Sequence, residues 1–310
     1  MGQSPTIKVF CPIFFFKSWQ GLGQSPNRTL RQHPNVPKGF EAEPNRTQIG
    51  GLNMFENIVP KFQKGRILKN KVLETLRDFP MDSLRIAFNE YSDGVVFGGN
   101  ILVNKEILTV QPSILKFKGR LYLIEHEYSL EYFPTDNWTA IYAKFIPETN
   151  HADYDSCLIK IEFNDDLTPK KDCIELARFK LRQGAWLRYD YQDLEDFTTE
   201  YNTFNYVHAP YAAPKESTIC PELIQYFAKQ VLFFGSQNPL DLSFSLDALN
   251  AHRITRESIL YYISNKLNET YRTYSNVEIH KKLILILKDI ERNALPRKRP
   301  PKESDTLMVE

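Results

Sequence analysis

The chain has six histidines, the one side-chain type whose unperturbed pKa lies near neutrality. An acid/base or metal site would have to draw on His33, His126, His151, His208, His252 or His280. No two of them stand at the spacing that would put two ligands on one helix face. His126, between Glu125 and Glu127, is one acid/base candidate, but on an alternating strand that position faces solvent. His208, in the proline-bracketed run His208-Ala-Pro-Tyr-Ala-Ala-Pro, is the other. Carboxylate pairs occur at Asp165-Asp166 and Glu195-Asp196, where a polar turn is the simpler account. Cys11, Cys157, Cys173 and Cys220 are widely spaced, with neither a C-x-x-C nor a Cys/His cluster. That pattern indicates neither zinc nor a disulfide framework, and a reducing cytoplasm suits it. No G-x-x-x-x-G-K-[ST] and no G-x-S-x-G occurs. The glycine-dense run Gly94 to Gly99 lies among strands with no helix after it, unlike a phosphate cradle. These residues assign no catalytic, cofactor-binding or metal-binding role and call for no cofactor, so the expectation is a non-enzyme.

Ser92 to Phe133 reads SDGVVFGGNILVNKEILTVQPSILKFKGRLYLIEHEYSLEYF. Apolar and polar residues alternate through it in short runs rich in Val, Ile, Tyr and Phe, the period of strands. Asn104-Lys105, Gln111-Pro112-Ser113 and Lys118-Gly119 interrupt the runs, and gaps so short exclude crossover helices, which predicts an antiparallel meander. Trp138 to Phe145, Ser156 to Phe163, Cys173 to Leu181 and Trp186 to Asp190 extend the series. With Ser83 to Asn89 as an entering strand, about eight strands would make an antiparallel β-domain over 81–190, a sandwich or partly open barrel. Before it, Phe62, Leu68, Val72, Leu73 and Leu76 recur at helical spacing beside Lys and Arg, predicting a basic amphipathic helix within 54–80 that Pro80 ends. Residues 191–216 read as an extended linker or strap. Residues 217–293 read as a small bundle of four helices. Ser217-Thr218 is the capping signal before the first, Thr255 caps the third and Asn276 caps the fourth, with Ile279, Leu283, Ile286, Leu287 and Ile290 on one side. The fold class expected is α+β: an N-terminal amphipathic helix, the antiparallel β-domain and a C-terminal helical bundle.

Residues 1–53 differ in character. Gly2-Gln-Ser-Pro returns at Gly23, Pro-Asn-Arg-Thr occurs at both 26–29 and 44–47, and no period of 2 or 3.6 is present. Such a segment cannot bury enough surface to offset its ordering entropy. It reads either as sequence upstream of a start at Met54 or as a flexible basic arm. The prolines and basic residues from 294 onward predict a disordered tail. The leader carries +4 and the end from Arg292 +2, which leaves the body near −5 of the net +1. An acidic body disfavours a nucleic-acid groove, whose affinity comes mainly from phosphate neutralisation. The apolar run Val9 to Phe16 is far short of the roughly 20 residues of a membrane span. The sequons at Asn27, Asn45, Asn137 and Asn268 matter only to a secreted chain.

Asp93-Gly-Val-Val-Phe-Gly, Leu108-Thr-Val-Gln-Pro-Ser-Ile, Lys118-Gly-Arg-Leu-Tyr and Ile174-Glu-Leu-Ala-Arg-Phe follow one another in an order that resembles the β-rich attachment domains of phage tail-fibre and contractile-tail baseplate proteins. Ser113 stands where those domains carry a glycine. The resemblance covers residues 92 to 180 and implies a cytoplasmic or tail-assembled structural adaptor. Its partners would be proteins of a larger assembly, and it would be a homo-oligomer, with a trimer the expected state. It names no catalytic residue. The alternatives are a cytosolic nucleic-acid-associated protein, supported only by the basic tail and first helix, and an enzyme whose site assembles from scattered residues.

Overall fold

A computed structural model describes residues 58–294 apart from 66, 105, 152, 153 and 189. The expectations for the 1–53 leader, for a start at Met54 and for the tail beyond 294 lie outside the described residues.

The first helix, α1, is Asn70–Ala87. It therefore starts later than the sequence pattern suggested, leaving Phe62 and Leu68 before it, and it runs through Pro80. Proline removes the hydrogen bond to the carbonyl one turn back. No residue of α1 is buried, so solvent can take up that carbonyl, and the helix need not stop. Ser83 to Asn89 is accordingly the last turn of α1 and its exit rather than a strand. Leu84 and Ala87 continue the face begun by Leu73 and Leu76, and a short apolar run can satisfy either period.

Nine strands follow among the described residues: β1 (Gly94–Gly98), β2 (Ile101–Asn104), β3 (Ile107–Val110), β4 (Ser113–Phe117), β5 (Arg120–Ile124), β6 (Tyr128–Glu131), β7 (Trp138–Asn150), β8 (Asp155–Asn164) and β9 (Cys173–Lys180). They form three antiparallel sheets of three strands, ordered β1-β4-β5, β2-β3-β6 and β8-β7-β9. The expected local hairpins are present. Phe117 pairs with Arg120 across Lys118-Gly119, both at positive φ (49° and 77°), as a tight two-residue hairpin turn requires. The simple meander is not. The β2-β3 hairpin is inserted between β1 and β4, and β3 then pairs with β6 across the β4-β5 hairpin, so two sheets interleave. They do not close into a barrel. Among its described residues, Trp186 to Asp190 contributes an isolated bridge, Arg188 to Thr203.

Residues 191–216 are a packed strap. Phe204, Tyr206, Val207, Ala209, Ala212 and Ala213 are buried, and Asn205 exchanges both backbone hydrogen bonds with Arg178 of β9. Pro210 and Ala212 pass so close to β1 that a Cβ on Gly94 (φ 143°) would collide with the Pro210 carbonyl oxygen.

Four more helices follow among the described residues: α2 (Pro221–Phe234), α3 (Pro239–Asn250), α4 (Arg256–Leu267) and α5 (Asn276–Arg292). Pro221 starts α2 behind Cys220, which makes no side-chain cap. Ser217-Thr218 does not cap it; the Thr218 hydroxyl donates instead to the Ile254 carbonyl at 2.9 Å. Gly235 ends α2 in the left-handed conformation. Thr255 caps α4, whereas Ser275, one residue before the expected Asn276, caps α5 in a reciprocal box with Glu278. Ile279, Leu283, Ile286 and Ile290 of α5 are buried in a core continuous with that of the sheets.

Candidate functional site

The candidates from the sequence are dispersed. His126 is exposed and lies in the turn between β5 and β6 rather than on a strand. His208 is half-buried, and its pKa is lowered, first by burial and then by the Arg178 charge. Its carboxylate neighbour Glu175 is already engaged by Arg178 in a two-pronged ion pair of 2.6 and 2.8 Å, which leaves no free base beside the imidazole. Asp165 accepts from the Thr139 hydroxyl at 2.7 Å, and Asp166 accepts from both the amide and the hydroxyl of Thr168. Asp196 holds Arg188 through two hydrogen bonds and also accepts from the Gln192 amide and the Thr199 hydroxyl. Glu195 pairs with Lys288 of α5. These carboxylates shape loops. Burial pushes the Cys220 thiol up to about 11, the opposite of an activated nucleophile. No group of three or more His, Cys, Asp or Glu suited to a metal occurs among the described residues, and no described helix is long and apolar enough to cross a membrane.

Two features carry more information. The first is α1. At 100° per residue, Ile86, Phe79, Val72, Leu76, Leu73 and Leu84 fall within one arc of roughly 160°. All but the partly covered Val72 are exposed, Phe79 at 67% and Ile86 at 72%. The opposite side carries Lys71, Arg77 and Arg85 against Glu74, Asp78 and Asp82, and it includes ion pairs Arg77–Asp78 and Arg85–Asp82. The helix is thus charge-balanced, not basic. Lys61, Lys64 and Lys69, which made it look basic in sequence, precede it.

The C-terminal end of α1 is anchored by a residue that sequence reasoning passed over. Lys116 of β4 is 5% exposed, and its ammonium donates to the carbonyls of Phe88, Asn89 and Tyr91 at 2.6, 3.0 and 2.5 Å. A cation at the carbonyl end of a helix is also favoured by its dipole. In sequence, Lys116 sits in an ordinary alternating strand, and nothing local marks it as buried.

The second feature is a cavity of about 190 Å³ beside that anchor. Phe88 and Tyr91 from the α1 exit, Phe97 from β1, and His252 and Arg253 from the α3–α4 loop line it, and the first turn of α2 supplies Glu222. Arg253 donates from Nη1 to the carbonyls of Val95 and Ala212 and from Nη2 to Val96. Desolvation holds Glu222's carboxyl above its usual range.

No family model matches the chain, and no curated protein matches it. A crystal structure of TssK aligns with 74% of this chain and 71% of its own at 7% identity and a TM-score of 0.37, a likeness too distant to assign fold or function.

Proposed function

We propose that this chain is a non-enzymatic structural adaptor of a phage-like tail, baseplate or contractile injection assembly, self-associating through α1 while its β-domain meets the neighbouring component. The observation that supports this most is the uncovered face of α1. Each aliphatic or aromatic side chain on it contributes roughly 1.5–3 kcal/mol when fully buried, and water-facing apolar stripes of this width favour association. The occupant is a second copy. The polar side of α1 balances three cations with three anions, so it attracts neither phosphate nor an anionic membrane, and matching charges of both signs suit a parallel or antiparallel twin. A two-stranded seam uses a narrow stripe, whereas an arc of roughly 160° reaches neighbours on two sides. That suits a trimer, and an oligomer is what the likeness of residues 92 to 180 to tail-attachment domains implies.

Light scattering coupled to size exclusion on the full chain tests the self-association. The expected result is an oligomer at roughly tens of micromolar that Leu76→Glu converts to a folded monomer of unchanged melting temperature. A wild-type monomer at that concentration, or a Leu76→Glu variant that remains oligomeric, removes α1 as the interface.

A further inference from the structure

We propose that the cavity between the α1 exit, β1 and the α3–α4 loop binds a carboxylate carried on a flat apolar group. This goes beyond the adaptor role and does not depend on it, since the site lies within one chain.

A guanidinium has five N–H donors and cannot give up its proton in a protein. Three of Arg253's donors are taken by the carbonyls of Val95, Ala212 and Val96. Its Nε is fully buried without a hydrogen-bond partner, and one hydrogen on Nη2 has no acceptor among the described residues. No carboxylate there forms an ion pair with it. Arg253 is partly covered and its guanidinium lies 5.5 Å from the centre of the Tyr211 ring, so what it lacks is an acceptor for every donor. Lys116, buried nearby, shows the contrast: its three donors meet three carbonyls, so it needs no further partner. Arg253 keeps its charge and one unengaged Nη2 hydrogen, its Nε having no surface a ligand could reach, and a carboxylate is the anion that pairs best with a guanidinium N–H.

The rest of the wall selects the body of the ligand. Phe88 and Phe97 meet edge to face at 5.8 Å, and Phe97 and His252 do so at 5.9 Å, so aromatic groups line the rim that leads to Arg253. An apolar cavity of about 150 Å³ can hold benzene; this one has room for a ring and its carboxylate. Glu222 is the one carboxyl among the lining residues, and its charge opposes an anionic ligand. Two sources share this chemistry: a free aromatic acid, and the C-terminal phenylalanine of a partner polypeptide.

The probes are phenylacetate, acetyl-Gly-Gly-Phe, and the C-terminal amide of that peptide, titrated calorimetrically into the full chain. Saturable 1:1 binding of an acid, about tenfold or more tighter than the amide, is expected. The peptide acid binding more tightly than phenylacetate identifies a polypeptide C-terminus; phenylacetate binding as tightly or more tightly identifies a free acid. Glu222→Gln should tighten the acids several-fold, and Phe97→Ala, at an exposed rim position, should weaken them by a similar factor. Arg253→Met should abolish binding, but it also releases three structural carbonyls, so the two rim variants decide if it fails to fold. Three results overturn the assignment: neither acid saturating by about 10 mM, the amide binding as tightly as its acid, or neither rim variant changing the affinity.

Discussion

Asp241 is completely buried in α3 and accepts from the Ser236 hydroxyl at 2.5 Å, the Tyr262 phenol at 2.9 Å and the Lys266 ammonium at 2.7 Å. The last two reach across from α4, so this carboxylate ties two helices of the bundle together. Burial, then the Asp241 charge, pushes the Tyr262 phenol's pKa up, which keeps it protonated as a donor. Asp241→Ala strands an ammonium whose side chain is only 13% exposed and a buried phenol at once. Breaking a buried pair from one side costs about 3–5 kcal/mol, and for a folded region of this size each kcal/mol shifts Tm by about 2–4 °C. The variant should therefore melt roughly 6–20 °C lower. Asp241→Asn keeps a carbonyl oxygen for one donor and should fall between the two. In Asp241→Leu with Lys266→Met both charges are gone, and the double variant should recover most of the loss. Urea unfolding followed by circular dichroism measures all four proteins. A cost below about 1 kcal/mol for Asp241→Ala, or a double variant no better than the single one, would show that the pair is as weak as an exposed salt bridge.

His280 is 1% exposed and donates to the Leu194 carbonyl at 2.8 Å; burial is the largest influence on it and lowers its pKa, as it does for His208. The unfolded chain thus takes up protons first, so stability is full above the unfolded value of about 6.5 and is lost as pH falls below it, by at most about 1.4 kcal/mol per unit for each histidine. Glu222, with a raised pKa, acts in the opposite sense, so the slope is best read from urea midpoints between about pH 7 and about pH 5 in a Glu222→Gln background; His280→Gln should flatten it, and an unchanged slope would remove His280 as its source. Lys116→Met should speed hydrogen exchange in the last turn of α1 and weaken self-association while leaving the α2–α5 amides protected; equal loss of protection throughout would make Lys116 a general core residue instead of an anchor for α1.

The local features of this fold were legible because their causes are local. Alternation marked the strands, Lys118-Gly119 marked a hairpin since its two residues must take positive φ, and Thr255 marked a helix start through the backbone group it satisfies. The absence of a nucleophile elbow or phosphate loop was equally plain from residue order. What the chain does with those elements depended on distant partners. A strand's own pattern does not name its neighbour, so the pairing of β1 with β4 across the β2-β3 hairpin was invisible. The apolar faces of α1 and α5 look alike in sequence, yet Leu283 is buried and Leu76 is exposed, because only α5 has helices and a loop packed across from it. Pro80 could be read as a stop or tolerated within a helix, and solvent around α1 decided which. Lys116 and Arg253 carry no sequence signal at all: each is an ordinary basic residue until carbonyls from segments 25 or more positions away close around its charge.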